Sequence, residues 1–249
     1  MFYNFLHDII FFMIYLPSNY AYLFLCLPFL IIWLVLYMTN KSTRREQLSM
    51  SCIGLIAGPL SEIIYFKDYW LPKSALSLSV GHFPLMIEDI LFGFAIGGIG
   101  AVIFEVLFRT QLQKLSKKPK YTLNVFALLF IFFVVLKILL LFGINSIYAS
   151  AFAFVVTAIP ILFIRHDLFL NAIGSGISVM LIMFISYFIL FHIVSNTQIL
   201  FKEQWLIYGT SLDLRFAGIP LTEMVWGFTW GFLAGPLYEF KNNRKNIIT

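Results

Sequence analysis

The chain has 249 residues, of which 61% are hydrophobic and only 12% charged, where a soluble domain carries roughly 25% charged residues. With 29 phenylalanines among them, water would not solvate the surface such a composition makes, so lipid must cover most of it. The length allows about eight spans of roughly 20 residues joined by short loops, with no room for a separate soluble domain. The net charge of +5 sits in those loops, where it is a topology signal, and no nucleic-acid partner is expected.

In chain order the predicted spans are 2–16, 20–38, 48–66, 83–108, 121–142, 147–164, 169–193 and 217–240. The fold class is an all-α polytopic membrane helix bundle. The first segment is short and is also compatible with lying in the interface. It lacks a basic leading region and a small-residue cleavage site, so a cleaved signal peptide is not expected. Cys26 and Cys52 fall within apolar segments and read as buried, reduced thiols.

The loops alternate in charge. Lys41, Arg44, Arg45, Arg109, Lys114, Lys117, Lys118, Lys120, Arg165, Lys241, Arg244 and Lys245 fall on one side, and Lys67, Lys73, Lys202 and Arg215 on the other. That is 12 against 4, with Lys137 inside a span. The excess places the first group and both termini in the cytoplasm.

Two stretches of the chain match. Asp68-Tyr69-Trp70 leads to Glu88, Gly93 and Glu105; Glu203-Gln204-Trp205 leads to Glu223, Gly227 and Glu239. Trp70 to Glu88 and Trp205 to Glu223 are both 18 positions, and Gly93 to Glu105 and Gly227 to Glu239 both 12. One residue of slip lies between acid and glycine, so Glu223 aligns with Asp89 as well as with Glu88. Gly93 and Gly97, like Gly227 and Gly231, are four apart, a stripe that lets helices pack closely in lipid. The expected organisation is two parallel four-helix repeats, 1–120 and 121–249, related by an axis along the membrane normal.

Acids inside a span are expensive unless paired, wetted or neutral. Glu62, Glu88, Asp89 and Glu223 share one depth near the non-cytoplasmic end, and Glu105 and Glu239 lie nearer the cytoplasm. Gly58-Pro59-Leu60-Ser61-Glu62 and Ile219-Pro220-Leu221-Thr222-Glu223 are near-identical words, and Pro84 precedes Glu88-Asp89. Converging in a dry cavity, such acids form a general acid/base pair. Otherwise they cap helices, pair with Lys137 or Arg215, or face the interface. Trp70, Tyr69 and Trp205 read as interfacial anchors or as the aromatic wall of a cavity. His82, His166 and His192 have no metal-ligand spacing. Neither a nucleotide loop nor an aspartate-rich diphosphate site is present, so no metal and no cofactor is expected.

At these words the chain resembles the lycopene cyclase domain of the heterodimeric or fused type, whose units carry a proline followed by paired acids at a helix start. Pro220 to Glu223, followed by Met224, Val225 and Trp226, looks like one copy. Pro84 to Glu88-Asp89, followed by Ile90, Leu91 and Phe92, looks like the other. The pattern is incomplete: Met224 replaces the second acid, and Pro84 stands four residues before Glu88 rather than two. The resemblance implies a carotenoid (lycopene-type) cyclase, an intramolecular lyase or isomerase acting on a lipid-soluble polyene. Glu88, Asp89, Glu223 and Glu62 would be its catalytic acids, and Trp70, Trp205, Phe92 and Trp226 its substrate-binding wall. Membrane lipid surrounds it, and a second copy or a partner subunit stays open. A proton-coupled transporter and a noncatalytic membrane scaffold are the competing readings.

Overall fold

The computed structural model describes residues 13–80, 83–115 and 123–248. Seven long helices account for most of them: α1 (Ser18–Thr39), α2 (Arg44–Tyr65), α3 (Ile87–Leu107), α4 (Val125–Leu141), α5 (Ser146–Ile164), α6 (Phe169–Ile193) and α8 (Leu221–Asn242); α7 (Thr197–Gln204) is short. The protein is an all-α bundle of membrane-spanning type. Five of the helices are long and apolar enough to cross a bilayer, and α4, with 17 residues, is a shorter apolar helix. Their outer faces are greasy: Phe126, Phe130, Leu141 and Phe163 are each at least 70% exposed. Of the predicted first span, residues 2–12 lie outside the described residues; Ile14 is extended and bridges Val194 of the 194–196 turn.

The helix starts have local causes. Asn124 and Asn145 cap α4 and α5 by accepting from the N–H groups of Ala127 (2.7 Å) and Ile147 (3.2 Å). Proline has no N–H and holds the residue before it extended, and the segments predicted as helix at 83–86 and 217–220 are accordingly not helical. Strand β2 (Phe83–Met86) pairs antiparallel with β1 (Ser77–Val80), and β5 (Ile219–Pro220) with β4 (Arg215–Phe216). Thus α3 and α8 each begin directly after a small hairpin.

Both helices also end alike. Arg109 and Asn243 are left-handed, with φ of 50° and 51°, and turn the chain into β3 (Thr110–Lys114) and β6 (Arg244–Ile248). These two strands pair antiparallel with each other. Along the α3–α8 contact, Phe92 lies 6.1 Å from Trp226 and the Trp230 indole donates to the Ile96 carbonyl at 3.1 Å. Further along, Asn171 of α6 donates to both Glu105 (2.9 Å) and Glu239 (2.6 Å). The order of contacts is the same on both helices, so α3 and α8 run parallel.

Glycine sets the spacing within each half. A Cβ on Gly93 would sit 2.2 Å from the Gly54 carbonyl oxygen, and one on Gly231 would sit 2.6 Å from that of Ser175. So α2 packs backbone to backbone on α3, and α6 on α8. Gly93→Ala should therefore force α2 and α3 apart, at a cost of about 1–3 kcal/mol, read as a lower thermal midpoint of the purified protein in lipid nanodiscs. An unchanged midpoint would mean that the helices are free to separate. The thiols divide: Cys26 is buried as expected, whereas Cys52 lies exposed on the outer face of α2.

Candidate active site

A cavity of about 300 Å³ lies between α1, α2, α3, α4, α5, α6 and α8, and its acids lie at the end of the bundle opposite the strongly basic loops. Glu62, Asp89 and Glu223 all line it, each at most 5% exposed. They come from the last turn of α2 and the first turns of α3 and α8. Glu62 is close enough to Asp89 and Glu223 for their charges to repel. No lysine or arginine lines the cavity, and none of the ion pairs among the described residues involves these acids.

The three carboxyls are held differently. Glu223 accepts from the Tyr69 hydroxyl and, at 3.1 Å, from the Trp205 indole N–H; the Tyr187 hydroxyl faces it as well. The Tyr69 hydroxyl also meets Thr222 Oγ1 at 3.0 Å. Glu62 accepts from the Trp70 indole N–H at 2.9 Å. Asp89 has no partner with normal hydrogen-bond geometry, although the Tyr22 hydroxyl lies beside it.

Glu88 is buried too but is not part of the cavity. Its carboxylate accepts from Ser74 Oγ at 2.6 Å and from the Ala75 N–H at 2.8 Å, and so ties the loop before β1 to α3. Of the acids expected to act, the structure thus brings Glu62, Asp89 and Glu223 together and turns Glu88 away.

Trp70 and Trp205 are buried rather than interfacial, at 7% and 4% exposed. Their backbones form an antiparallel bridge, extended by Leu71 N–H to the Gln204 carbonyl (2.6 Å) and Leu206 N–H to the Tyr69 carbonyl (2.8 Å). The loops after α2 and after α7 are therefore stitched together, and each delivers an indole to one carboxylate. Trp205 does not itself line the cavity; Trp70, Phe92 and Trp226 do. Arg215 covers this end from outside, stacked 3.9 Å over the Phe201 ring. Its guanidinium, hydrogen-bonded to Asp213 at 2.7 and 2.9 Å, holds that carboxyl below its usual range.

The remaining wall is aliphatic and aromatic. Tyr22 meets Trp70 edge-on at 4.7 Å, and Trp226 stacks near Trp230 at 6.2 Å. Tyr65 accepts from the Trp226 indole (2.8 Å) and donates to Ser150 Oγ (2.9 Å), which satisfies all three. Tyr22, Tyr65 and Tyr187 escaped the sequence reading. The available signal was spacing: Tyr65 lies three residues after Glu62, on the same helical face.

A helical membrane bundle with a buried carboxyl cluster at one end of an aromatic cavity is the class of protein this geometry defines. Residues 145–241 match the family model described as Lycopene cyclase, which supports the lycopene cyclase domain family indicated by the proline–acid words. The match spans α5 to α8 and includes Glu223, Trp226 and Trp230; Glu62 and Asp89 lie outside it. No curated protein and no solved structure matches the chain.

Proposed function

We propose that the protein is a membrane-embedded carotenoid cyclase that closes a ring at the end of a linear polyene. The observation that carries this reading is the convergence of Glu62, Asp89 and Glu223, with no basic side chain, on an otherwise apolar and aromatic cavity. A carboxyl that accepts no well-formed hydrogen bond is cheaper to bury neutral. Asp89 has the Tyr22 hydroxyl and the Met86 N–H beside it but neither in normal hydrogen-bond geometry, so it is better suited than Glu223 to carry the proton. A carboxylate that accepts hydrogen bonds keeps its charge more readily, which suits Glu223, with its Tyr69 and Trp205 donors, to be the base.

In this mechanism Asp89 protonates the terminal alkene. The resulting tertiary carbocation is attacked by a double bond further along the chain, which forms the ring C–C bond. The ring cation then loses a proton to Glu223, leaving a ring alkene. One proton enters and one leaves, so the product is an isomer of the substrate and no electrons are exchanged. The faces of Phe92 and Trp226 would stabilise the cation, as aromatic rings stabilise cations generally. Glu62, held by Trp70, lies near both other acids and is placed to pass the proton back between turnovers. The acids lie at one end of the bundle rather than at its middle, which favours this reading over a proton-coupled transporter.

The paired halves fit a duplication. Three helices with a hairpin before the last, α1–α2–α3 and α5–α6–α8, would superpose about an axis along the membrane normal, with α4 between the copies. The basic end of the bundle would face the cytoplasm, as the loop charges indicate. External thiol labelling of single cysteines introduced on a Cys52→Ser background should then reach the 67–82 and 194–216 loops in intact cells. Labelling of 109–120 from outside would reverse the orientation.

The activity is tested by expression in a lycopene-accumulating bacterial host, alone and with any candidate partner subunit, followed by chromatography of the pigments. Cyclic end groups are the expected result. Unchanged lycopene with folded protein in the membrane would overturn the cyclase reading.

A further inference from the structure

The cavity is longer than a ring-forming site requires. It follows α8 from Glu223 to Leu237 and α4 from Val125 to Leu136, which at about 1.5 Å per residue is roughly 21 Å and 17 Å. Its carboxyls all lie at one end. The lining hydroxyls of Ser61 and Ser150 near the carboxyls, and of Thr157 farther along, each donate to a carbonyl of their own helix, at 2.6, 3.0 and 2.7 Å. Beyond the carboxyls, nothing polar is left to recognise a polar chain.

One wall is also open. Ile53 and Leu60 of α2 line the cavity yet are 46% and 56% exposed, and Leu129 and Phe133 of α4 line it at 46% and 57%. Helix α4 packs chiefly on α5, and α2 meets the α4–α5 cluster at Ile64. Between those two helices the cavity therefore faces the surface that lipid covers.

We propose that the gap between α2 and α4 is a lateral entrance. Through it one end of a linear, uncharged, unsaturated hydrocarbon slides head first from the bilayer to Asp89 and Glu223. The following part of the chain, about 20 Å of it, lies along α8, and the rest stays in lipid. One end group is processed per visit, and a substrate with two such ends must leave and turn round. The inference rests on the cyclase reading for the nature of the head group and on the cavity for its shape and route. An ordinary lipid acyl chain is the competing occupant, and the test separates the two.

Leu60→Cys and Leu129→Cys are introduced together on the Cys52→Ser background and bridged by a cleavable bifunctional thiol reagent in lipid nanodiscs. The probe is lycopene, an achiral polyene, which gains circular dichroism in its visible band only when it is held in a chiral site. The expected result is an induced band with the open protein, loss of that band when the bridge is made before lycopene is added, and its return on cleavage. Protein that keeps the native Cys52, exposed and outside the cavity lining, and is alkylated there without the two introduced cysteines serves as the folding control and should keep the band. Equal bands in bridged and open protein would overturn the lateral entrance. No band in the open protein would show that lipid acyl chains fill the cavity and would overturn the polyene assignment. An induced band that depends on the bridge, without any cyclised product, would leave the entrance standing and remove the cyclase reading.

Discussion

Glutamine in place of Glu223 should lower ring formation at least about 100-fold, the lower end of what a positioned acid or base contributes. The amide oxygen still accepts from Tyr69 and Trp205, so the stitched loops and α8 should keep their places. What is lost is the ability to take the proton from the ring cation. The comparison is made by pigment chromatography at equal membrane abundance. If Glu223→Gln kept more than about a tenth of the activity, this carboxylate would not be the base.

Asp89→Asn should be as severe and Glu88→Gln mild, although the two acids are neighbours in sequence. Asparagine at 89 fills the same space beside Tyr22 but has no acidic proton to give to an alkene, so a loss of about 100-fold or more is expected. Glutamine at 88 keeps an acceptor for the Ala75 N–H, and the loop that it anchors is not part of the cavity. Most of the activity should remain. The opposite order of severity would move the acid from Asp89 to Glu88 and require a different arrangement of the helix start.

That distinction shows where the sequence is legible and where it is not. Hydropathy alone locates the long helices, because in lipid each span must satisfy its own backbone and be apolar over its whole length. Predicted spans 147–164 and 169–193 coincide with α5 and α6 to within a residue. The ends before α3 and α8 are less accurate, since proline at 84 and 220 converts the approach into a hairpin strand. Two adjacent acids on a helix point about 100° apart, and here Asp89 faces the cavity while Glu88 turns aside to Ser74 and Ala75. Which of them faces it depends on the packing of α2 against α3, which Gly54 and Gly93 control. The one-residue slip in the repeat left Asp89 as an alignment partner of Glu223, and the structure places those two on the same cavity.

The aromatic residues were legible in kind but not in role. Trp70 and Trp205 have the position of interfacial anchors in the sequence, and only the pairing of two distant loops makes them donors to Glu62 and Glu223. Tyr187 sits in an apolar helix with no motif around it. Its meeting with Glu223 is a contact between helices, which a local pattern does not encode.

The central claim, that carboxyls of this cavity protonate and deprotonate a polyene end without redox chemistry, is tested most directly by mass. Protein in nanodiscs is equilibrated in deuterium oxide and mixed in excess with lycopene, so that each ring arises from a first turnover. The account predicts a cyclic product carrying one deuterium per ring formed, since the proton delivered by Asp89 is then deuterium and a hydrogen of the substrate is lost to Glu223. Cyclic product with no deuterium at the protonated carbon would contradict it, as would a product differing from lycopene by anything other than that exchange.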